Sequence, residues 1–194
     1  VAAAHCRTAV SPTSERTLAP PSVRVAHAAD AAGLYALSEP FMRSGALLWR
    51  TPETYATTAR EFLVAEDGEG VLEGCVALRA YPGDARAPVG VPAVLHNFCV
   101  RSGRQRRGVG SRLLAALLRE AAARSVGEVF AATTGGGEAF VRSGFRETDA
   151  GRAPRAWAVS LDPGRGSRVF ARSLTAQPTA GAGATRPRPD LRVW

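Results

Sequence analysis

Residues 96–118 constrain the chain more than any other stretch. They open on the apolar run Phe98-Cys99-Val100, pass through four arginines (Arg101, Arg104, Arg106, Arg107) and the pattern Gln-x-x-Gly-x-Gly (Gln105, Gly108, Gly110), and continue into Val109, Leu113, Leu114, Leu117 and Leu118. The last five, with Ala121 and Ala122, share one face of a helix, whereas Arg112, Arg119 and Arg124 fall on the other. The segment is thus a strand, a turn and an amphipathic helix. The first turn of any helix leaves its N–H groups without intrahelical acceptors and carries the positive end of the dipole. Glycines at 108 and 110 let a ligand approach that backbone closely, and the arginines add charge. Such a turn is an anion-binding device of a size suited to a pyrophosphate.

The rest of the chain supplies a sheet for this unit. Residues 23–27 alternate as a first strand, and Asp30 opens a short helix reaching Leu37. The run from Pro40 to Arg50 is apolar but broken by Gly45, and reads as an irregular segment lining a pocket. Thr51 is a good N-cap, Pro52 suits the first helical position and Glu53 favours the positive helix end, so a second helix runs to Arg60 or Glu61. Residues 62–66 and 71–81 flank Asp67-Gly68-Glu69-Gly70 as a hairpin. Residues 82–92, rich in Pro and Gly, read as a loop, 93–100 as the fourth strand and 127–133 as the fifth. A short helix at 138–142 ends at Gly144, and 156–161 reads as the last strand, with no core-forming character after Pro163. The domain expectation is a flexible leader over 1–22, one folded domain over 23–174 and a disordered Arg/Pro-rich tail over 175–194.

Composition excludes some chemistry. Every one of the 25 basic residues is Arg, so Schiff-base and lysine general-base mechanisms are ruled out. The net charge of +8 is concentrated in the tail, and the chain shows no recognisable nucleic-acid module, so no nucleic-acid partner is expected. Cys6, Cys75 and Cys99 lack the paired spacing of a zinc site or a disulfide framework, which points to reduced thiols and no metal. The longest apolar stretch is interrupted by Arg119, Glu120 and Arg124, so no membrane span is expected, and the location reads as cytoplasmic.

This order of elements, with Gln105-x-x-Gly108-x-Gly110 followed by Glu138-Ala139-Phe140-Val141-Arg142-Ser143-Gly144-Phe145, resembles the GCN5-related N-acetyltransferase (GNAT) family over about residues 23–161. Within the family it is most similar to the acetyltransferase domain of N-acetylglutamate synthases. The stretches that carry this are Leu47-Leu48-Trp49-Arg50-Thr51-Pro52-Glu53, the hairpin from Phe62 to Leu78, residues 129–134, and Arg165-Gly166-Ser167-Arg168-Val169-Phe170. Strand four departs from that pattern by carrying no acid at Val94 or Leu95.

The resemblance implies an α/β fold with a mixed, mostly antiparallel central sheet flanked by helices, and acetyl-CoA as co-substrate. It implies that Gln105, Arg106, Arg107, Gly108, Val109, Gly110 and Ser111 cradle the pyrophosphate, and that backbone groups of Phe98 and Val100 pair with pantetheine. His96 lies four residues before Val100, where many members place a Glu or His base, and an imidazole with a pKa of about 6.5 suits removal of an amine proton. Phe140 stands where the family often has a general-acid Tyr, so it is read as packing, and Cys99 as structural. Arg50 and Arg79 are the candidates for reading an acceptor carboxylate, with Trp49 walling the pocket or filling the core. The expected activity is direct transfer of acetyl to the amine of glutamate or a related amino-acid derivative. The alternatives are transfer to another small amine, such as a natural-product intermediate or antibiotic, transfer to a protein N-terminus, or a non-catalytic acyl-CoA-binding module; a homodimer is compatible with each.

Overall fold

The computed structural model describes residues 22–84 and 90–174. The expected leader, apart from Ser22, and the expected tail lie outside the described residues, as do Cys6 and the middle of the proline-rich loop. The described chain runs β1 (Ser22–Val25), α1 (Ala31–Arg43), α2 (Pro52–Thr58), β2 (Phe62–Glu66), β3 (Leu72–Ala80), β4 (Val91–Val100), α3 (Val109–Ala123), β5 (Val126–Thr133), α4 (Glu138–Arg142), β6 (Arg146–Thr148), α5 (Arg155–Ala158) and β7 (Arg168–Ser173). The strands form one seven-stranded sheet in the order β1-β2-β3-β4-β5-β7-β6. Only the β4–β5 pair is parallel, so the sheet is the mixed, mostly antiparallel one expected.

Local chemistry explains most of these elements. Thr51 accepts a hydrogen bond from the Thr54 N–H at 3.3 Å and Pro52 occupies the first turn, which starts α2; a single 3-10 turn, Ala59–Glu61, then delivers the chain into β2. In the β2–β3 hairpin, Asp67 Oδ1 accepts from the N–H groups of Glu69 and Val71, and Gly70 takes a φ of 78° that a side chain would oppose.

Two sequence readings need correction. Helix α1 does not stop at Leu37 but runs through Pro40 to Arg43, because Leu34, Leu37, Ser38 and Met42 keep one buried face in phase and outweigh the one backbone bond that proline removes. The last strand is not 156–161. That stretch forms the short α5 and a turn, with Ala158 N–H bonded to Pro154 C=O at 2.8 Å, and the strand is β7. Its Val169, Phe170 and Ala171 are buried between β5 and β6, so the core extends past Pro163.

Helix α3 packs Val109, Leu113, Leu114 and Leu117 against Val76, Leu78, Val129, Phe140, Phe145 and Phe170 on one side of the sheet. Full burial of each such leucine contributes roughly 1.5–3 kcal/mol. On the other side α1 and α2 bury Leu34, Leu37 and Tyr55 against Phe62, Val64, Cys75 and Ala77.

Strand β4 positions the site through two irregularities. Its pairing with β5 ends at Leu95↔Ala131, so residues 96–100 leave β5 and stay paired to β3 alone. Opposite β3, Cys75 faces Cys99 while Ala77 faces His96, and Asn97 has a φ of 51°: this is a β-bulge. The bulge brings His96 and Asn97, neighbours in sequence, to the same side of the sheet. His96 packs edge-on to Phe62, and Asn97 bonds to Tyr55 and Ser38.

Candidate active site

Two cavities succeed one another along β4. The first, about 350 Å³, lies at the N-terminus of α3 and is lined by Phe98, Cys99, Val100, Gln105, Arg106, Gly108, Gly110 and Ser111, with Ala139 and Arg142 of α4. Seven of the nine residues expected to hold the donor therefore border it. Arg107 is exposed and does not line it, and the side chain of Val109 is buried in the core, leaving only its backbone to the turn. The first bond of α3 runs from Arg112 N–H to Gly108 C=O, no side chain caps the helix, and Gly108 holds a φ of 83°. The N–H groups of the first turn thus precede the helical ladder. A Cβ at Gly110 would come within 3.1 Å of the Phe98 ring, so the glycine lets helix and strand approach. Gln105 donates from Nε2 to the Val100 carbonyl at 3.1 Å and closes the turn onto the strand.

The second cavity, about 230 Å³, lies on the α2 side. It is lined by Leu47, Leu48 and Arg50, by Arg79 and Tyr81, by Val94, Leu95, His96 and Asn97, and by Trp157, Ser160, Leu161, Asp162, Arg165 and Ser167. The stretch read as a last strand instead forms one wall here. Arg165 donates to the Gly45 carbonyl at 2.7 Å and ties that wall to the segment after α1.

His96, whose side chain is 15% exposed, is held at both ring nitrogens: Nε2 lies 3.3 Å from Glu61 Oε2, and Nδ1 lies 3.3 Å from Arg50 Nη2. Burial lowers its pKa below the usual imidazole value; Glu61 opposes this, and the Arg50 charge adds to it. Burial also lowers the pKa of Arg50. Glu61 is the residue that sequence reasoning missed. Burial pushes its carboxyl upward, but the hydrogen bonds from His96 and Arg79 outweigh burial and leave it below the usual range. Arg79 donates to this carboxylate at 3.0–3.3 Å. No local sequence signal marks Glu61: Phe62, Ala77 and His96 lie opposite one another across β2, β3 and β4, and that register alone brings the residue just ahead of Phe62 level with His96.

Trp49 is 60% exposed and borders neither cavity, so it neither fills the core nor walls the pocket in this structure. Arg50 and Arg79 both reach the second cavity, but Arg79 is already paired, whereas Arg50 has no carboxylate partner among the described residues. Beneath His96, Tyr55 donates to Asn97 Oδ1 at 3.0 Å and Asn97 donates to Ser38 Oγ at 3.0 Å. Cys75 and Cys99 stand side by side with sulfurs 3.5 Å apart; the hydrogen bond with Cys99 and burial push the Cys75 thiol up, as befits a packed group. Phe140 stacks among Phe98, Phe145 and Phe170 at centroid distances of 5.5–5.9 Å, which is a packing role. Among the described residues no group of three metal-ligating side chains converges.

Residues 58–147 match the Acetyltransferase (GNAT) domain family. The chain belongs to the GNAT acetyltransferases. Among its relatives, an amino-acid acetyltransferase of Neisseria meningitidis serogroup A is 32% identical over 154 residues, which is 79% of this chain and 34% of that protein. The N-acetylglutamate synthase of Neisseria gonorrhoeae, solved with coenzyme A and N-acetyl-glutamate, superposes with a TM-score of 0.73 at 29% identity, over 81% of this chain and 36% of that one. This GNAT chain thus spans about a third of the length of the longer relatives it matches. A Mycobacterium tuberculosis protein solved with CoA shares the fold at a TM-score of 0.65 and 22% identity, over 80% of this chain and 100% of its own. No described helix of the GNAT chain is long and apolar enough to cross a membrane.

Proposed function

We propose that this protein transfers the acetyl group of acetyl-CoA directly to the amine of a carboxylate-bearing amino acid, glutamate or a close derivative. The observation that carries the reading is Arg50: a partly buried guanidinium that faces the second cavity with no carboxylate partner among the described residues, beside His96 and next along β4 to the anion cradle. A buried cation without a counter-charge is costly, and a ligand carboxylate in a forked pair meets that cost. The amino-acid acetyltransferase and N-acetylglutamate synthase relatives point to the same acceptor class.

In this reading the α3 N-terminus, Arg106 and Ser111 hold the donor's pyrophosphate, and the free edge of β4 beyond Leu95 pairs with the pantetheine amides. A charge at a helix N-terminus gains only about 0.3–1 kcal/mol from the dipole, so the N–H bonds and the arginine act together. His96 takes the amine proton, and its pKa below the ordinary value keeps it neutral at physiological pH. The amine nitrogen bonds to the acetyl carbon, the carbon–sulfur bond breaks, and coenzyme A leaves as the thiol.

The test is thiol release from acetyl-CoA across a panel of amino acids and their amides. Turnover with glutamate or another carboxylated amino acid, at least tenfold above the matching amide in kcat/KM, is the expected outcome; equal turnover of amide and acid would remove the carboxylate from the reading.

A further inference from the structure

Both ring nitrogens of His96 are spoken for, and the identity of each partner fixes the ring's state. A guanidinium can only donate a hydrogen bond and an ionised carboxylate can only accept one. Arg50 Nη2 at 3.3 Å from Nδ1 therefore faces a lone pair, and Glu61 Oε2 at 3.3 Å from Nε2 faces an N–H. The imidazole is neutral, with its proton on Nε2. Arg50 lines the cavity while Glu61 does not, so the lone pair on the cavity side is the one covered. A base capped in this way cannot take a proton from an amine.

The capping bond is also the weaker of two that Arg50 could make. A carboxylate offers the guanidinium two parallel bonds in a forked pair with opposite charge on both sides, where the imidazole offers a single lone pair and no charge. The other charged groups around His96 and its cavity are committed or turned elsewhere. Arg79 is forked onto Glu61, Arg165 donates to the Gly45 carbonyl, and Asp162 accepts from the Gly164 N–H at 2.8 Å; Tyr81 lines the same wall. Arg50 is the cation whose partner a ligand can exchange.

We propose that Arg50 is a substrate-operated cap on His96: the carboxylate of the acceptor draws the guanidinium off Nδ1 and so uncovers the base for the amine of the same molecule. The inference rests on the acetyl-transfer reading above and deepens it, because the carboxylate then selects acceptors at proton removal as well as at binding. The amine nitrogen bonds to the acetyl carbon as its proton passes to Nδ1. The electron pair of the broken carbon–sulfur bond stays on sulfur, and the thiolate regains a proton through solvent. Glu61 holds the resulting imidazolium through Nε2–H and serves as a positioning residue.

The closing experiment separates the cap from the acetyl-transfer reading. In protein carrying 15N-labelled histidine, with the His96 signals assigned by their loss in His96→Gln, glutarate is titrated as a dicarboxylate that has no amine to acetylate. The cap predicts that the Nδ1 resonance moves and that the His96 pKa rises, since a cation is withdrawn and an anion arrives. Unchanged His96 signals at saturating glutarate overturn the cap, and this arm needs neither turnover nor a variant at Arg50. In the kinetic arm, Arg50→Met raises KM for glutamate and also raises kcat for the uncharged diamide of glutamate by about tenfold or more, because the lone pair is no longer covered. An unchanged kcat for the diamide would mean that Arg50 only binds the carboxylate, and a fall with both amines would mean a structural role; either result overturns the cap. Failure of the wild-type protein to release thiol with any amine would instead defeat the acetyl-transfer reading, while the glutarate titration still decides the cap.

Discussion

The cavity proposed for the donor draws eight of its borders from one continuous segment, Phe98 to Ser111, whereas the cavity proposed for the acceptor collects Arg50 from ahead of α2, Arg79 from β3, His96 from β4 and Arg165 from ahead of β7. The first relies on backbone N–H groups, glycines and a helix dipole. The second relies on side chains whose charges are set by one another. A cofactor shared by many enzymes can be held by a local device that tolerates change elsewhere, but an acceptor site depends on every long-range contact that assembles it.

The largest expected effect falls on the acceptor side alone. His96→Ala lowers kcat by roughly 10²-fold or more while coenzyme A binding, measured by calorimetry, stays unchanged. A matching loss of coenzyme A affinity would mean that the two cavities are not separable. The converse test is Gly108→Val. At a φ of 83° with open space around a Cβ, the cost is backbone strain of about 1–2 kcal/mol rather than a clash. It should lower Tm and weaken coenzyme A by about tenfold, with the pH profile of the surviving activity unaltered.

The smallest effect is a shift of profile. Glu61 raises the His96 pKa against the lowering by burial and Arg50, so Glu61→Gln lowers it further. In the proposed mechanism His96 works in its neutral form, and that form then persists to lower pH. The acid limb of kcat/KM should move down while kcat falls by about tenfold or less, since a weaker base removes protons more slowly. An upward move of that limb would show that Glu61 does not face His96 in solution.

How much could be read from sequence follows the same division. The β4–α3 unit, the hairpin capped by Asp67, the Thr51-Pro52 helix start and Gly144 after α4 are each specified by residues within one or two turns of one another. Glu61 and Arg165 were out of reach because what they do depends on residues 35 and 120 positions away, His96 and Gly45. Strand β7 was missed for a related reason: three apolar residues among arginines are too short a pattern, and only the places of β5 and β6 on either side make Val169-Phe170-Ala171 an interior strand.

The bulge at Asn97 also sets a phase. Leu95 joins the core under α3, while His96 and Asn97 both turn to the α2 side; Phe98 and Val100 then pack on the α3 side. In an unbroken strand His96, Phe98 and Val100 would share one face. The one extra residue flips the alternation midway, so a single strand offers a base to one compartment and its next residues to the other. Deletion of Asn97 would restore regular alternation with His96 still opposite Phe98 and Val100, at the cost of the bonds to Tyr55 and Ser38, whereas a pairing that drew Asn97 into the ladder would turn His96 onto the face of Phe98 and Val100.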